Sequence, residues 1–98
     1  MRTVKVKELA GEFGENKDIA KDIRIKSILP ALKEGAEITV DFRGMTGATQ
    51  SFIHAMFAEP IRKYPEGFYD LVICKNCSDL VRTVITIVSD YMQESLID

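Results

Sequence analysis

Two stretches of this chain carry residue types that do chemistry. The first is Cys74-Lys75-Asn76-Cys77, a CxxC between an apolar run and the start of a helix pattern. A thioredoxin-like pair sits in that setting, where a helix N-terminus lowers a thiol pKa and supplies the thiolate. Three features oppose it here. The motif comes late, after two strand–helix units; no cis-proline candidate follows; and Cys74 continues the apolar run Leu71-Val72-Ile73, as a small buried hydrophobe does. A zinc site needs more ligands than these two thiols and His54. Thiol redox or metal binding at Cys74 and Cys77 therefore stands as the alternative reading of the chain.

The second stretch is Val40 to Phe57, VDFRGMTGATQSFIHAMF, which sets Thr46, Thr49 and Ser51 in a glycine-bearing loop between a strand and a helix. Such strand ends are where ligands and partners dock on α/β sheets, and free N–H groups at the helix start favour an anion. Ser51 and His54 stand at i, i+3 and share a helix face. A hydrolase would also need a nucleophile elbow, a third triad member and an oxyanion hole, and no motif for them is present. Gly44 and Gly47 are too few and wrongly spaced for a nucleotide loop. Asp18 with Asp22 and Asp79 with Asp90 read as solvated helix faces and caps. No catalytic residue, metal or cofactor is expected, and the chain reads as non-enzymatic.

Periodicity supplies the elements that must hold these residues. Thr3 to Leu9 alternates apolar and charged side chains, as an edge strand does. Gly11 to Asn16 reads as a loop, with room for a further short strand near Gly11–Lys17. From Asp18 to about Glu34 the residues Ile19, Ala20, Ile23, Ile28, Leu29 and Leu32 fit one helical face, bent or divided at Pro30 and stopped at Gly35. Ala36 to Phe42, AEITVDF, is the best strand. Thr49 or Ser51 caps the next helix, with its stripe of Phe52, Ile53, Met56, Phe57 and Ile61 and with Pro60 near its end. Tyr64-Pro65-Glu66-Gly67 reads as a turn and Phe68 to Cys74, FYDLVIC, as a strand. Ser78 or Asp79 opens a last helix to about Gln93 or Glu94. Its broad apolar face (Leu80, Val81, Val84, Ile85, Ile87, Val88, Tyr91 and Met92) is wider than one stripe, which implies deep burial or a second face for a partner. The order β-α-β-α-β-α predicts a small single-domain α/β sheet, residues 1–98, with helices packed against it.

Composition narrows the function classes. With 46% hydrophobic residues among 98, the chain can build a core. Net charge is −2 with both signs interspersed, so no basic footprint points to nucleic acid. No apolar run approaches the ~20 residues of a membrane span, and MRTVKVKELAGEF lacks the apolar core of a signal peptide. The expected location is the cytoplasm, and a homodimer through the last helix is compatible with the pattern.

The apolar strand ending in Asp41-Phe42, then Gly44-Met45, a short loop, Ser51-Phe52 and an amphipathic helix with Phe57 resembles the STAS-like domains of prokaryotes, relatives of the anti-sigma-factor antagonists. The resemblance spans about four-fifths of the chain. It implies a STAS-like fold and a regulatory module whose partner is an anti-sigma-type ATP-binding kinase. It also places the phosphorylation candidate at Ser51 and the partner contacts at Gly44, Thr46, Gly47, Thr49, Gln50, Ser51 and His54, with Asp41 supporting the loop. Where such antagonists read Asp-Ser-Ser-Gly-Leu, this chain reads Thr49-Gln50-Ser51-Phe52-Ile53. Phosphorylation adds about −1.5 to −2 charges, which a helix N-terminus tolerates and an acidic or apolar partner surface rejects. Capping alone also accounts for hydroxyls at this helix start.

Overall fold

In the computed structural model, residues 2–97 are described, with side chains through residue 94. Strand β1 (Arg2–Lys5) runs into a short helix α1 (Val6–Ala10), a two-residue strand β2 (Phe13–Gly14) and helix α2 (Lys17–Ile23). A π-helical turn, Arg24–Ile28, joins α2 to α3 (Leu29–Glu34). Then come β3 (Ile38–Asp41), β4 (Gly47–Ala48), α4 (Gln50–Lys63), α5 (Pro65–Leu71), β5 (Val72–Lys75) and α6 (Asp79–Ile97).

The main sheet is parallel with the order β1-β3-β5. Register aligns Val4, Val40 and Cys74 on one face, and Lys5, Asp41 and Lys75 across the C-terminal ends of the strands. Val4, Ile38 and Val40 are buried on one face, whereas on the other Thr3, Lys5 and Lys75 are exposed and Thr39 is buried. The core is completed by Phe42 and by Phe52, Ile53, Met56, Phe57 and Ile61 of α4. Phe57 meets Phe68 edge-on with centroids 5.2 Å apart, a favoured aromatic geometry.

Several expected elements take a different form, each for a local reason. Strand β1 stops at Lys5 because its partner β3 stops at Asp41, the residue Lys5 faces. With no ladder to continue, Val6–Ala10 coils into α1, which buries Val6 and closes on Gly11 at φ +82. The segment Tyr64–Gly67 is not a turn. Pro65 occupies the first helical position, where its missing N–H costs nothing, and the Phe68 N–H donates to Tyr64 O at 2.8 Å. The apolar run from Phe68 is helical as far as Leu71, and only Val72–Lys75 pairs with the four residues of β3. The helix is divided near Pro30, as expected, with Pro30 in the first turn of α3 and no break in the helical path. The turn just before it is widened, with the Leu29 N–H donating to Arg24 O, which accommodates a ring that would crowd the preceding carbonyls. Pro60 likewise stays inside α4.

Gly35 ends α3 in the left-handed conformation at φ +69, as expected of a C-terminal glycine. The short strand anticipated near Gly11–Lys17 exists as β2, which pairs with β4 in a separate two-stranded bridge.

Candidate functional site

The loop between β3 and α4 is held at both ends. Gly44, at φ +83, makes the turn that returns the Met45 N–H to Phe42 O at 3.1 Å, a backbone shape that favours glycine. Asp41 lies at its base. Its Oδ1 accepts from the Arg43 N–H and from Asn76 Nδ2, both at 2.9 Å. The Asn76 bond, with the Arg43 N–H next, holds the Asp41 carboxyl below the usual carboxylate range. Asp41 thus ties the loop to the β5–α6 connection. Farther along, the Thr46 N–H and hydroxyl both donate to Glu12 O, and the Thr49 N–H donates to Gly14 O. Ser78 Oγ reaches Thr46 O at 3.4 Å.

Thr49 is the cap of α4, its Oγ1 accepting the Phe52 N–H at 3.0 Å. Ser51 is not the cap. It stands in the first turn, exposed, and among the described residues its hydroxyl has no hydrogen-bond partner. Phe52 is fully buried. Space for it comes from Gly14, because a Cβ there would lie 2.9 Å from the Phe52 ring. The bulk at position 52 is compensated inside the core and leaves the outer face of the helix start open.

Gln50, Ser51 and His54 line that outer face together with Ala55. Across from them α6 contributes Ile87, Val88 and Tyr91, and α2 contributes Lys17, around an open groove of about 500 Å³. The His54 and Tyr91 rings lie 6.5 Å apart. Helix α6 buries Val81, Val88 and Met92, but Leu80 is 66%, Ile87 45% and Tyr91 60% exposed. Leu80, Val84, Ile87 and Tyr91 follow the alternating four- and three-residue spacing of a helix–helix seam. Near Gly47 the stripe continues: Leu80 and the half-exposed Phe13 ring both approach that glycine.

The expected contact residues therefore divide. Gln50, Ser51 and His54 share one groove, whereas Gly44 lines a separate depression with Asp41. Gly47 is buried in the β2–β4 bridge beside Phe13. Thr46 and Thr49 are engaged in holding the loop and capping the helix. Lys17 and Phe13 join the site without an advance signal, since only the folded crossing of α2 and β2 brings them there. The outward apolar residues of α6 were visible as a face too broad for one stripe.

The cysteines occupy a different environment. Burial, reinforced by Cys77, pushes the Cys74 thiol up to about 12. Burial also raises Cys77, with Arg82 opposing and Asp41 adding to the rise. Thiolate is the nucleophile and the metal ligand, so this pair is poorly set for either role. Among the described residues, no cluster of three or more His, Cys, Asp or Glu side chains is placed to hold a metal ion. No helix among them is long and apolar enough to cross a membrane.

Comparison with known proteins agrees with the fold. The family described as the STAS-like domain of unknown function (DUF4325) matches residues 20–82, from α2 to the first turn of α6. No curated protein and no solved structure matches the chain. The match spans the sheet strands β3 and β5, the Asp41–Ser51 loop and all of α4, and the chain belongs to this STAS-like family.

Proposed function

We propose that this protein is a non-enzymatic regulatory module that binds a protein partner, in the manner of an anti-sigma-factor antagonist, with Ser51 as its phosphorylation switch. The observation that carries this reading is that Ile87 and Tyr91, exposed members of an apolar stripe that also includes Leu80, lie beside Ser51 and His54. Exposed apolar side chains in a row mark contact surfaces, and two members of this row, Ile87 and Tyr91, share a groove with the candidate switch.

The electrostatics suit a switch at Ser51. A phosphoryl group there would meet the free N–H groups of α4 and the Lys17 ammonium across the groove. The isolated module tolerates the added charge. A partner whose apolar surface covers Ile87 and Tyr91 would have to desolvate that charge, so binding would weaken. The partner class is an anti-sigma-type ATP-binding kinase, and the site of action is the cytoplasm.

Incubation with such a kinase and ATP, followed by intact-mass and fragment analysis, tests the reading. The expected result is one added phosphoryl group on Ser51, absent from Ser51→Ala. Modification elsewhere, or Ser51→Ala and Ser51→Asp variants that bind the kinase like the parent, would remove the switch.

A further inference from the structure

The C-terminal edge of the main sheet holds a second groove, away from Ser51, lined by Lys5, Lys7, Glu8, Asp41, Arg43 and Gly44. Its volume is about 480 Å³, within the range of small-ligand sites. Lys5 ends β1 and faces Asp41 at the end of β3, which in turn faces Lys75 at the end of β5. Lys7 comes from α1 and Arg43 from the loop after β3. Three cations from three segments thus line the groove with two carboxylates, and Lys75 stands next to Asp41 at the neighbouring strand end, in a chain whose net charge is −2.

These cations are not spent on ion pairs. Among the described residues, none of Lys5, Lys7, Arg43 and Lys75 has a carboxylate oxygen within salt-bridge distance. Asp41 is turned to the Arg43 N–H and Asn76 instead. The Lys7 chain lies over Gly44: a Cβ there would stand 2.8 Å from Lys7 Cδ and 3.1 Å from Nζ. The missing side chain lets the ammonium rest on the turn, at the mouth of the groove.

We infer that this groove binds the phosphate of a small organic phosphate, with Lys5, Lys7 and Arg43 as its ligands. Lysine ammonium and arginine guanidinium are the side chains that take phosphate oxygens. In open α/β sheets, the C-terminal strand edge is where such ligands lie. A dianionic group would neutralise the local excess of positive charge and relieve the repulsion among the cations.

The test is a pyrophosphate titration at constant ionic strength, followed by amide NMR, on the parent and on Lys7→Ala, Arg43→Ala and the remote Lys63→Ala. All three side chains are exposed, and circular dichroism confirms that each variant is folded. The expected result is saturable shifts at residues 5–8 and 41–45, with affinity about tenfold lower in Lys7→Ala and Arg43→Ala and unchanged in Lys63→Ala. Linear shifts reproduced by sodium chloride, or saturable binding equal in all four proteins, would overturn the site.

Discussion

Helices α4 and α6 start alike and end up with different work. Each follows a strand, β4 of the two-stranded bridge for α4 and β5 of the main sheet for α6, and opens on a hydroxyl cap, Thr49 bonding the Phe52 N–H and Ser78 the Val81 N–H. Each is rich in apolar residues. On α4 these residues, Phe52, Ile53, Met56, Phe57 and Ile61, are all within the core. On α6 they split, with Val81, Val88 and Met92 inside and Leu80, Ile87 and Tyr91 outside. The same composition is thus buried in one helix and divided between core and surface in the other. What separates them is position: α4 packs against both α2 and α6, whereas one side of α6 is open.

Substitutions can break or sharpen that contrast. The largest effect is expected at Phe52→Ala, which empties core space under the first turn of α4 and should cost about 3–5 kcal/mol in urea unfolding. Ile87→Ser on the outer side of α6 should stay within about 0.5 kcal/mol. Equal costs would erase the distinction between the helices. Next comes Gly14→Ala. Its Cβ would press on the Phe52 ring at 2.9 Å and on Met45 Cε at 3.0 Å, and overpacking of this kind costs about 1–3 kcal/mol. A stable Gly14→Ala protein would show that Phe52 does not depend on that space.

The caps give a smaller and more discriminating effect. Thr49→Ala should lower the thermal or urea stability by about 1 kcal/mol, while Ser51→Ala should leave it unchanged, because the Phe52 N–H bonds Thr49 and not Ser51. The reverse ranking would make Ser51 a structural residue. The smallest effect concerns Asp41, which lies at the base of the loop leading to α4. Its folded-state pKa is depressed, so its contribution is complete above the unfolded-state value and is lost as pH falls through the folded one. Urea midpoints measured from neutral to acid pH should fall less steeply below about pH 4 in Asp41→Asn than in the parent. Parallel curves would detach Asp41 from the loop's stability.

Much of α4 was legible because its cues are local: a β-branched strand, a hydroxyl cap and a stripe at helical spacing. Gly35 was legible for the same reason. Val6–Leu9 misled because charged and apolar residues alternate there, yet strand pairing depends on the length of β3, which no neighbouring residue reports. Phe68–Leu71 misled because an unbroken apolar run suits a buried strand and a buried helix equally. For the candidate site, Ser51 and His54 could be placed on one face from spacing alone. Lys17 and Phe13 could not, since they arrive through α2 and the β2–β4 bridge from more than thirty positions away in the chain. Gly47 was placed among the contacts by the family resemblance, and the bridge that buries it joins only two residues per strand.

The most direct test of the partner surface is titration calorimetry of an anti-sigma-type ATP-binding kinase against the parent, Ser51→Asp and the Ile87→Ser/Tyr91→Ser double variant. Tight binding by the parent, weakened at least about tenfold in both variants while their urea midpoints stay near the parent's, is the predicted result. Equal affinity across all three proteins would contradict the account and return Leu80, Ile87 and Tyr91 to ordinary surface residues.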